Sequence, residues 1–122
     1  MIMGVKNYVG TLTVNDKEVA TVDMVSVQSS IGLVYTLNED GSSYSVHSIG
    51  TCTDTDIIIP NRYKNLPVTY IGIEAFYNCT SIKSVAIPNS VNSIGGRAFC
   101  NCTGLIRVEI PSSVRVIATS AF

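Results

Sequence analysis

A fixed spacing of 23 residues separates equivalent apolar positions in the second half of the chain. The pairs are Ile71-Gly72 and Ile94-Gly95, Ala75-Phe76 and Ala98-Phe99, Cys79 and Cys102, Ile82 and Leu105, Val85 and Val108, Ile87-Pro88 and Ile110-Pro111, and Val91 and Val114. A third copy covers residues 117–122. A degenerate copy lies at 57–61, and five extra residues separate it from the next copy. Repeats that cannot bury an apolar face alone bury it against their neighbours, so the period predicts a solenoid.

Each repeat contains a short segment with strand-like alternation. Residues 84–87 and 107–110 alternate in the manner of short strands, and Pro88 and Pro111 end them because proline lacks a ladder donor. We therefore expect a parallel sheet on one wall. The Ile-Gly-x-x-Ala-Phe segment is too short for an α-helix and predicts a turn, at most one 3₁₀ turn, on the opposite wall. Stacking should bury three columns: Ile71/Ile94/Ile117, Phe76/Phe99/Phe122 and Val85/Val108.

The first half of the chain predicts two hairpins. Residues 10–14 and 19–22 are rich in β-branched side chains and flank the turn-forming sequence Asn-Asp-Lys-Glu. Residues 34–37 and 44–46 flank a second turn that contains Asn-Glu-Asp-Gly. Solenoids need atypical terminal units that shield their first core layer. We therefore divide the chain into an N-terminal β-hairpin cap at 1–50 and repeats at 51–122.

The repeat pattern Ile-Gly-x-x-Ala-Phe-x-x-Cys-x-x-Leu/Ile-x-x-Val-x-Ile-Pro-x-Ser-Val resembles the BspA-like leucine-rich repeat of bacterial surface proteins and some parasitic protozoa. The resemblance covers residues 57–122 directly. Residues 35–46, 54–56 and 66–68 are similar to the segment before the first regular repeat of that family, whereas residues 1–32 match nothing in it. The resemblance implies a mostly β, short right-handed leucine-rich-repeat solenoid.

It also implies a non-catalytic, extracellular or cell-surface module for adhesion or protein binding. The partner would be a host, extracellular-matrix or other cell-surface protein. Aligning the repeat strands predicts which side chains form the binding face. One exposed row consists of Asp56, Ser84 and Arg107, and the next row consists of Ile58, Ala86 and Glu109.

Composition and charge exclude some classes of function. The net charge of −1 gives no strong positive field, so nucleic-acid binding is not expected. No apolar run reaches the 18 or more residues of a membrane span, and the first residues lack an apolar segment of signal-peptide length. Residues 1–56 carry 2 − 7 = −5 charges and residues 57–122 carry 6 − 2 = +4, so head-to-tail attraction between copies is conceivable.

The residues that could support chemistry predict neither a cofactor nor a metal site. Cys79 and Cys102 share a repeat position, which permits a disulfide but is equally explained by a ladder of buried thiols. The spacing of the four cysteines does not match a zinc motif. His47, the single histidine, has no acid or nucleophile spaced to work with it. An enzymatic pocket would have to combine His47, Cys52, Asp54 and Asp56, and no spacing favours it.

A structural function remains open beside binding. The third repeat stops at residue 122, before its strand, so the layer of Leu105, Val108 and Ile110 has no successor to cover it. An uncovered apolar layer beside an unpaired strand edge promotes association. We therefore expect a homodimer through the C-terminal end of the solenoid, formed by a truncated repeat segment that serves as an assembly unit.

Overall fold

The computed structural model describes residues 9–14 and 17–23 as strands and residues 29–122 in full, and this part of the chain contains strands and turns but no helix. The strands are β1 (Val9–Val14), β2 (Lys17–Asp23), β3 (Val34–Leu37), β4 (Tyr44–Ser48), β5 (Asp56–Ile58), β6 (Arg62–Tyr63), β7 (Leu66–Ile71), β8 (Ser84–Ala86), β9 (Ser93–Ile94), β10 (Arg107–Glu109) and β11 (Val116–Ile117). Strands β3 to β11 form a solenoid of about three coils, which confirms the predicted fold.

One wall of the solenoid is the predicted parallel sheet. Its strands lie in the order β10, β8, β5, one strand from each coil. Val85 pairs with Ile57 on one side and with Val108 on the other, so equivalent repeat positions are direct neighbours. The strand in the degenerate copy is therefore a full member of the sheet.

A second sheet, which the sequence pattern did not reveal, runs beside the first. Its main path is β11, β9, β7, β4, β3, and β6 pairs with β7. The strands at the Ile-Gly position are only two residues long in β9 and β11. A strand of two residues is too short to show alternating side chains along the chain. Its pattern becomes visible only when equivalent residues of different coils are compared.

The segment after each Ile-Gly forms the predicted turns on the opposite wall. Inside one coil, Ala75 N donates to Gly72 O and Tyr77 N donates to Glu74 O, an i to i+3 spacing. The residues between them donate to the next coil instead, as Phe76 N does to Ala98 O at 2.7 Å. Successive N–H groups thus alternate between an acceptor in the same coil and an acceptor in the next coil. This alternation is accompanied by left-handed backbone at fixed positions, which are Glu74, Asn78, Arg97, Asn101 and Ser120. The wall is thus a ladder of turns rather than a 3₁₀ helix.

The predicted apolar columns are buried in the first two coils. Ile71, Phe76 and Val85 and their equivalents Ile94 and Phe99 are at most 1% exposed. The phenylalanine rings stack along the axis, with centroids 5.1 Å apart between Phe76 and Phe99 and 5.2 Å apart between Phe99 and Phe122.

The prediction of burial is wrong for the last member of each column. Ile117 is 49% exposed and Phe122 is 50% exposed, and Val108 is only half-buried. These side chains have one stacking neighbour instead of two, so one side of each faces solvent.

The Ile-Gly motif is explained by close contact between coils. A Cβ atom on Gly95 would lie 2.6 Å from the Tyr70 hydroxyl and 2.7 Å from the backbone nitrogen of Ile73. The same position in the previous coil, Gly72, lies against the carbonyl oxygen of Val46. Glycine is therefore required by the approach of two backbones, not by an unusual backbone angle.

Both predicted hairpins are present. β1 and β2 pair antiparallel in a sheet of their own, and the packing of this hairpin on the first coil stays a prediction. β3 and β4 pair antiparallel, and β4 then pairs parallel with β7, so the second hairpin is part of the solenoid wall. The boundary at residue 50 likewise stays a prediction.

The five extra residues of the degenerate copy form a small hairpin. β6 and β7 pair antiparallel across Lys64 and Asn65, whose φ angles are 50° and 68°. Two consecutive left-handed residues form the tight turn that suits a two-residue hairpin loop. The insertion is therefore accommodated at the surface without a change in the coil register.

Candidate functional site

The six residues predicted to form a binding face are aligned in the structure as two rows across the parallel sheet. Arg107 pairs with Ser84, which pairs with Asp56. Glu109 pairs with Ala86, which pairs with Ile58. Their common neighbours Ile57 and Val85 point to the core, so the rows occupy the outer positions of the strands.

One row is polar, and the other is apolar at two of its three positions. In the first row, Ser84 Oγ donates to Asp56 Oδ1 at 2.7 Å. In the second row, Ile58 and Ala86 are half-buried and lie side by side, and Glu109 follows them on β10. Arg107 Nη2 and Glu109 Oε2 form an ion pair of 2.7 Å, and their side chains are 70% and 58% exposed. The surface therefore combines hydrogen-bonding groups with a small apolar patch.

The open end of the last coil forms a groove that adjoins this face. It has a volume of about 460 Å³, and its lining includes Phe99, Leu105, Ile106, Val108 and Phe122. Ile106 is 84% exposed although it directly precedes β10. Sequence reasoning missed Ile106 because the equivalent residue one repeat earlier is Lys83. The lining of the groove is mostly apolar.

The wall of turns opposite the parallel sheet, called the turn wall below, carries pairs of polar side chains that join adjacent coils. Arg97 Nη1 lies 3.1 Å from Glu74 Oε2, and Asn101 Nδ2 donates to Asn78 Oδ1 at 2.9 Å. Both pairs join residues 23 apart, so the repeat alignment could have identified them. Asparagine suits Asn78 and Asn101 because it tolerates left-handed backbone better than most residues. These contacts connect adjacent coils at the surface.

The cysteines are free thiols in the structure, as the buried-ladder alternative expects. Cys102 Sγ donates to the carbonyl oxygen of Phe76 at 3.0 Å. Burial raises the pKa of the Cys102 thiol, and the backbone N–H of Cys79 partly opposes that rise. Burial also raises the pKa of Cys79, and the neighbouring Cys102 adds to the rise. Both side chains are therefore protonated near neutral pH and act as small apolar groups.

The residues of the hypothetical enzymatic pocket do not come together. Cys52 is buried and lines a groove of about 350 Å³ with Asp54 and Cys79. His47 is exposed on β4 and is not part of that lining. Among the residues that the structure describes, no three His, Cys, Asp or Glu side chains cluster as ligands of a metal ion would. The described residues also include no helix long and apolar enough to cross a membrane.

Residues 44–122 match the sequence profile of the BspA-type leucine-rich repeat region, with six copies of the profile in that span. The chain belongs to the BspA-type leucine-rich repeat family. The prediction from the repeat motif is thus confirmed. Leucine-rich repeats of this type are consistent with a scaffold for protein interactions.

Solved bacterial structures share the fold of this BspA-type chain. A leucine-rich repeat protein of T. pallidum is 32% identical, has a TM-score of 0.67, and is matched over 70% of this chain and 40% of its own. A leucine-rich cell surface protein of Faecalibacterium prausnitzii is 31% identical, has a TM-score of 0.63, and is matched over 74% of this chain and 26% of its own.

A leucine-rich repeat protein of Bacteroides ovatus is 28% identical, has a TM-score of 0.60, and is matched over 69% of this chain and 23% of its own. The chain thus spans less than half the length of each of these three proteins. Among curated proteins no relative matches.

Proposed function

We propose that this BspA-type chain is a non-catalytic module that binds a protein ligand at the cell surface, in adhesion or in contact with a host protein. The two aligned rows on β5, β8 and β10 form the contact surface. The observation that carries the proposal is their geometry. Six outward positions from three coils lie side by side in register, as a polar row beside a row that contains Ile58 and Ala86.

The chemistry of this surface fits a protein partner. Protein interfaces combine apolar with polar groups, and here Ala86 lies on the central strand while Asp56 and Arg107 lie on the two outer strands.

The cell-surface location and the partner class are part of the proposal. One of the similar structures is described as a leucine-rich cell surface protein. An extracellular position would make extracellular-matrix, host or other cell-surface proteins the partners within reach.

The test measures binding of the chain to a panel of purified extracellular-matrix proteins, including collagen and laminin, by surface plasmon resonance. Ser84→Arg places bulk and positive charge in the middle of the face, and Asp56→Arg reverses the charge at its edge, so each should weaken binding about tenfold or more. Thr119→Arg adds the same side chain on the exposed turn wall and serves as the matched control. Equal binding by all three variants would contradict the proposed face, and no binding to any panel member would contradict an extracellular-matrix partner.

A further inference from the structure

Two equivalent segments of the turn wall differ from each other in a complementary way. Residues 73–78 read Ile-Glu-Ala-Phe-Tyr-Asn, and residues 96–101 read Gly-Arg-Ala-Phe-Cys-Asn. The Ala-Phe pairs that they share are buried. The three differences lie at outward positions, where a large residue is replaced by a small one twice and an acid is replaced by a base once. The two segments therefore have the same core and matching outer surfaces.

The first segment projects from the wall where the second is recessed. Ile73 is 68% exposed, and the equivalent residue of the next coil is Gly96. Both residues line a groove of about 360 Å³, together with Glu74 and Arg97. The turn wall thus carries an apolar projection one coil away from a depression.

The fold does not require the depression at Gly96. A Cβ atom there would have a single neighbour within 4 Å, the carbonyl oxygen of Thr119 at 3.4 Å, and the backbone of Gly96 is not left-handed. The adjacent Gly95 differs, because its Cβ would lie 2.6 Å from the Tyr70 hydroxyl. A larger side chain would be accommodated at position 96, so the coil itself does not explain why the depression is present.

We propose that the chain forms a two-fold symmetric dimer in which the turn walls of two copies pack face to face, with residues 73–78 of each on residues 96–101 of the other. The two-fold axis lies in the plane of the contact, perpendicular to the solenoid axis and midway between the two segments. This operation exchanges the segments and keeps each residue at its position along the turn. Every residue of one segment therefore faces the residue 23 positions away in the second copy.

The apolar residues fit each other under this operation. Ile73 enters the depression over Gly96 of the second copy. Tyr77, which is 39% exposed, faces the smaller Cys100. A two-fold interface is isologous, so each of these contacts occurs twice. If the axis passed through the first segment instead, Ile73 would face Ile73, and the two projections would hold the walls apart.

The polar residues select the same arrangement. Glu74 faces Arg97 of the second copy, and together with the internal pair of 3.1 Å the four charges alternate in sign around the axis. An axis through either segment would bring two glutamates or two arginines together, and like charges across an interface are unfavourable. Asn78 faces Asn101, and each amide has both donors and acceptors for this contact. Size and charge thus favour one register.

The dimer leaves the parallel sheet uncovered, because the sheet forms the opposite wall. The two copies then direct their sheets away from each other. If the rows on β5, β8 and β10 bind a protein as proposed above, one dimer has two binding faces and can bridge two ligands. This consequence rests on the proposed function, whereas the dimer itself does not.

The association is expected to be weak. The contact is limited to one patch of the turn wall, so it buries less than the roughly 800 Å² per partner of a standard stable interface. We therefore expect a dissociation constant of about 100 µM.

Sedimentation equilibrium of the 122-residue chain, from about 1 to 500 µM, measures the association. Gly96→Ile sets one projection against another, and Ile73→Ala leaves the depression empty, so each should raise the dissociation constant about tenfold or more. The double variant moves the projection to position 96 and should restore dimerisation. Thr55→Ile adds the same side chain at an exposed position on the parallel-sheet wall, and this control should leave the dissociation constant unaltered.

A charge series tests the register independently of side-chain size. Arg97→Glu places glutamates opposite each other and should raise the dissociation constant about tenfold or more. Arg97→Glu combined with Glu74→Arg exchanges the charges and should restore dimerisation. Arg107→Glu makes the same change on the opposite wall and is the control. Circular dichroism of each variant verifies the fold, and if Gly96→Ile does not fold, the charge series decides.

Three outcomes would overturn the proposal. They are a monomer throughout the concentration range, a Gly96→Ile variant that associates as the unmodified chain does, and a charge-exchanged variant as dissociated as Arg97→Glu alone. The Ser84→Arg variant separates the dimer from the binding function, since it should lose matrix binding and still dimerise. A chain that dimerises and binds no matrix protein would contradict the binding proposal only.

Discussion

The two ends of the solenoid differ in how their terminal coils are covered. At the N-terminal end, β3 folds back antiparallel on β4, and Tyr35 stacks on Tyr63 with ring centroids 3.9 Å apart. At the C-terminal end, β10 and β11 have parallel neighbours on one side only, and Phe122 is half exposed. The first end is covered by a change in local structure, whereas the second continues the repeat up to its last residue.

The comparison shows that burial in a solenoid depends on neighbours more than on residue type. Phe99 and Phe122 have the same repeat position, yet they are 1% and 50% exposed. Ile94 and Ile117 differ in the same way, at 1% and 49%. A side chain of the repeat becomes core only when a following coil or a cap is present.

The largest expected effect comes from the aromatic stack. Phe99→Ala should lower the free energy of unfolding by about 3 to 5 kcal/mol, because it removes a buried ring with stacked neighbours on both sides. Phe122→Ala removes the same side chain at the open end and should cost only about 1 kcal/mol. Urea denaturation measures both values. Equal losses for the two variants would mean that the ends do not differ as described.

An intermediate effect is expected at the covered end under alkaline conditions. Burial raises the pKa of Tyr35 from 10.0 to about 12, and the neighbouring Tyr63 and Cys52 add to the rise. A raised pKa means that the stabilisation is complete below pH 10 and is lost as the pH increases to about 12. Because the ring is partly exposed, the loss should be about 1 kcal/mol or less.

Spectrophotometric titration of the phenolates measures this pKa, and Tyr35→Phe should remove the highest step. Denaturation at increasing pH should show a smaller loss of stability for Tyr35→Phe than for the unmodified chain. Titration of Tyr35 at its ordinary pKa would show that the N-terminal end is less well covered than the structure indicates.

The smallest effect is expected for a surface ion pair away from both ends of the solenoid. The ion pair between Glu74 and Arg97 joins two coils at the surface, with side chains 45% and 59% exposed. Glu74→Gln should change the free energy of unfolding by less than about 0.5 kcal/mol, and the change should shrink further at high salt. Thermal denaturation in low and high salt measures it. A loss above about 1 kcal/mol would show that surface contacts, and not burial, govern the coupling of coils.

Much of the fold could be predicted because the repeat fixes the register of the coils. Aligning residues 23 apart placed Ser84 opposite Arg107 and Ala86 opposite Glu109, and the strand pairing confirms both. The strand-like period of two within residues 84–87 identified which side chains face the core. The role of the outward rows in binding is a matter of chemistry with a partner, so it stays a prediction.

Other features could not be predicted from the pattern along the chain. β9 and β11 are each two residues long and are stabilised by hydrogen bonds between coils, such as Gly95 N to Ile71 O at 2.7 Å. Ile58 N donates to Ser30 Oγ at 2.9 Å, and these two residues lie 28 apart, which is not the 23-residue repeat spacing. Contacts of this kind depend on where the chain returns in space, and periodicity does not encode them.

The spacing of the phenylalanine rings also sets a unit of length for the surface. Centroids 5.1 and 5.2 Å apart follow the separation of neighbouring strands, about 4.8 Å. Each added repeat therefore lengthens the outer face by one such step and contributes two further outward positions. A protein of this kind can match ligands of different sizes by changing its number of repeats, while every coil retains the same internal contacts.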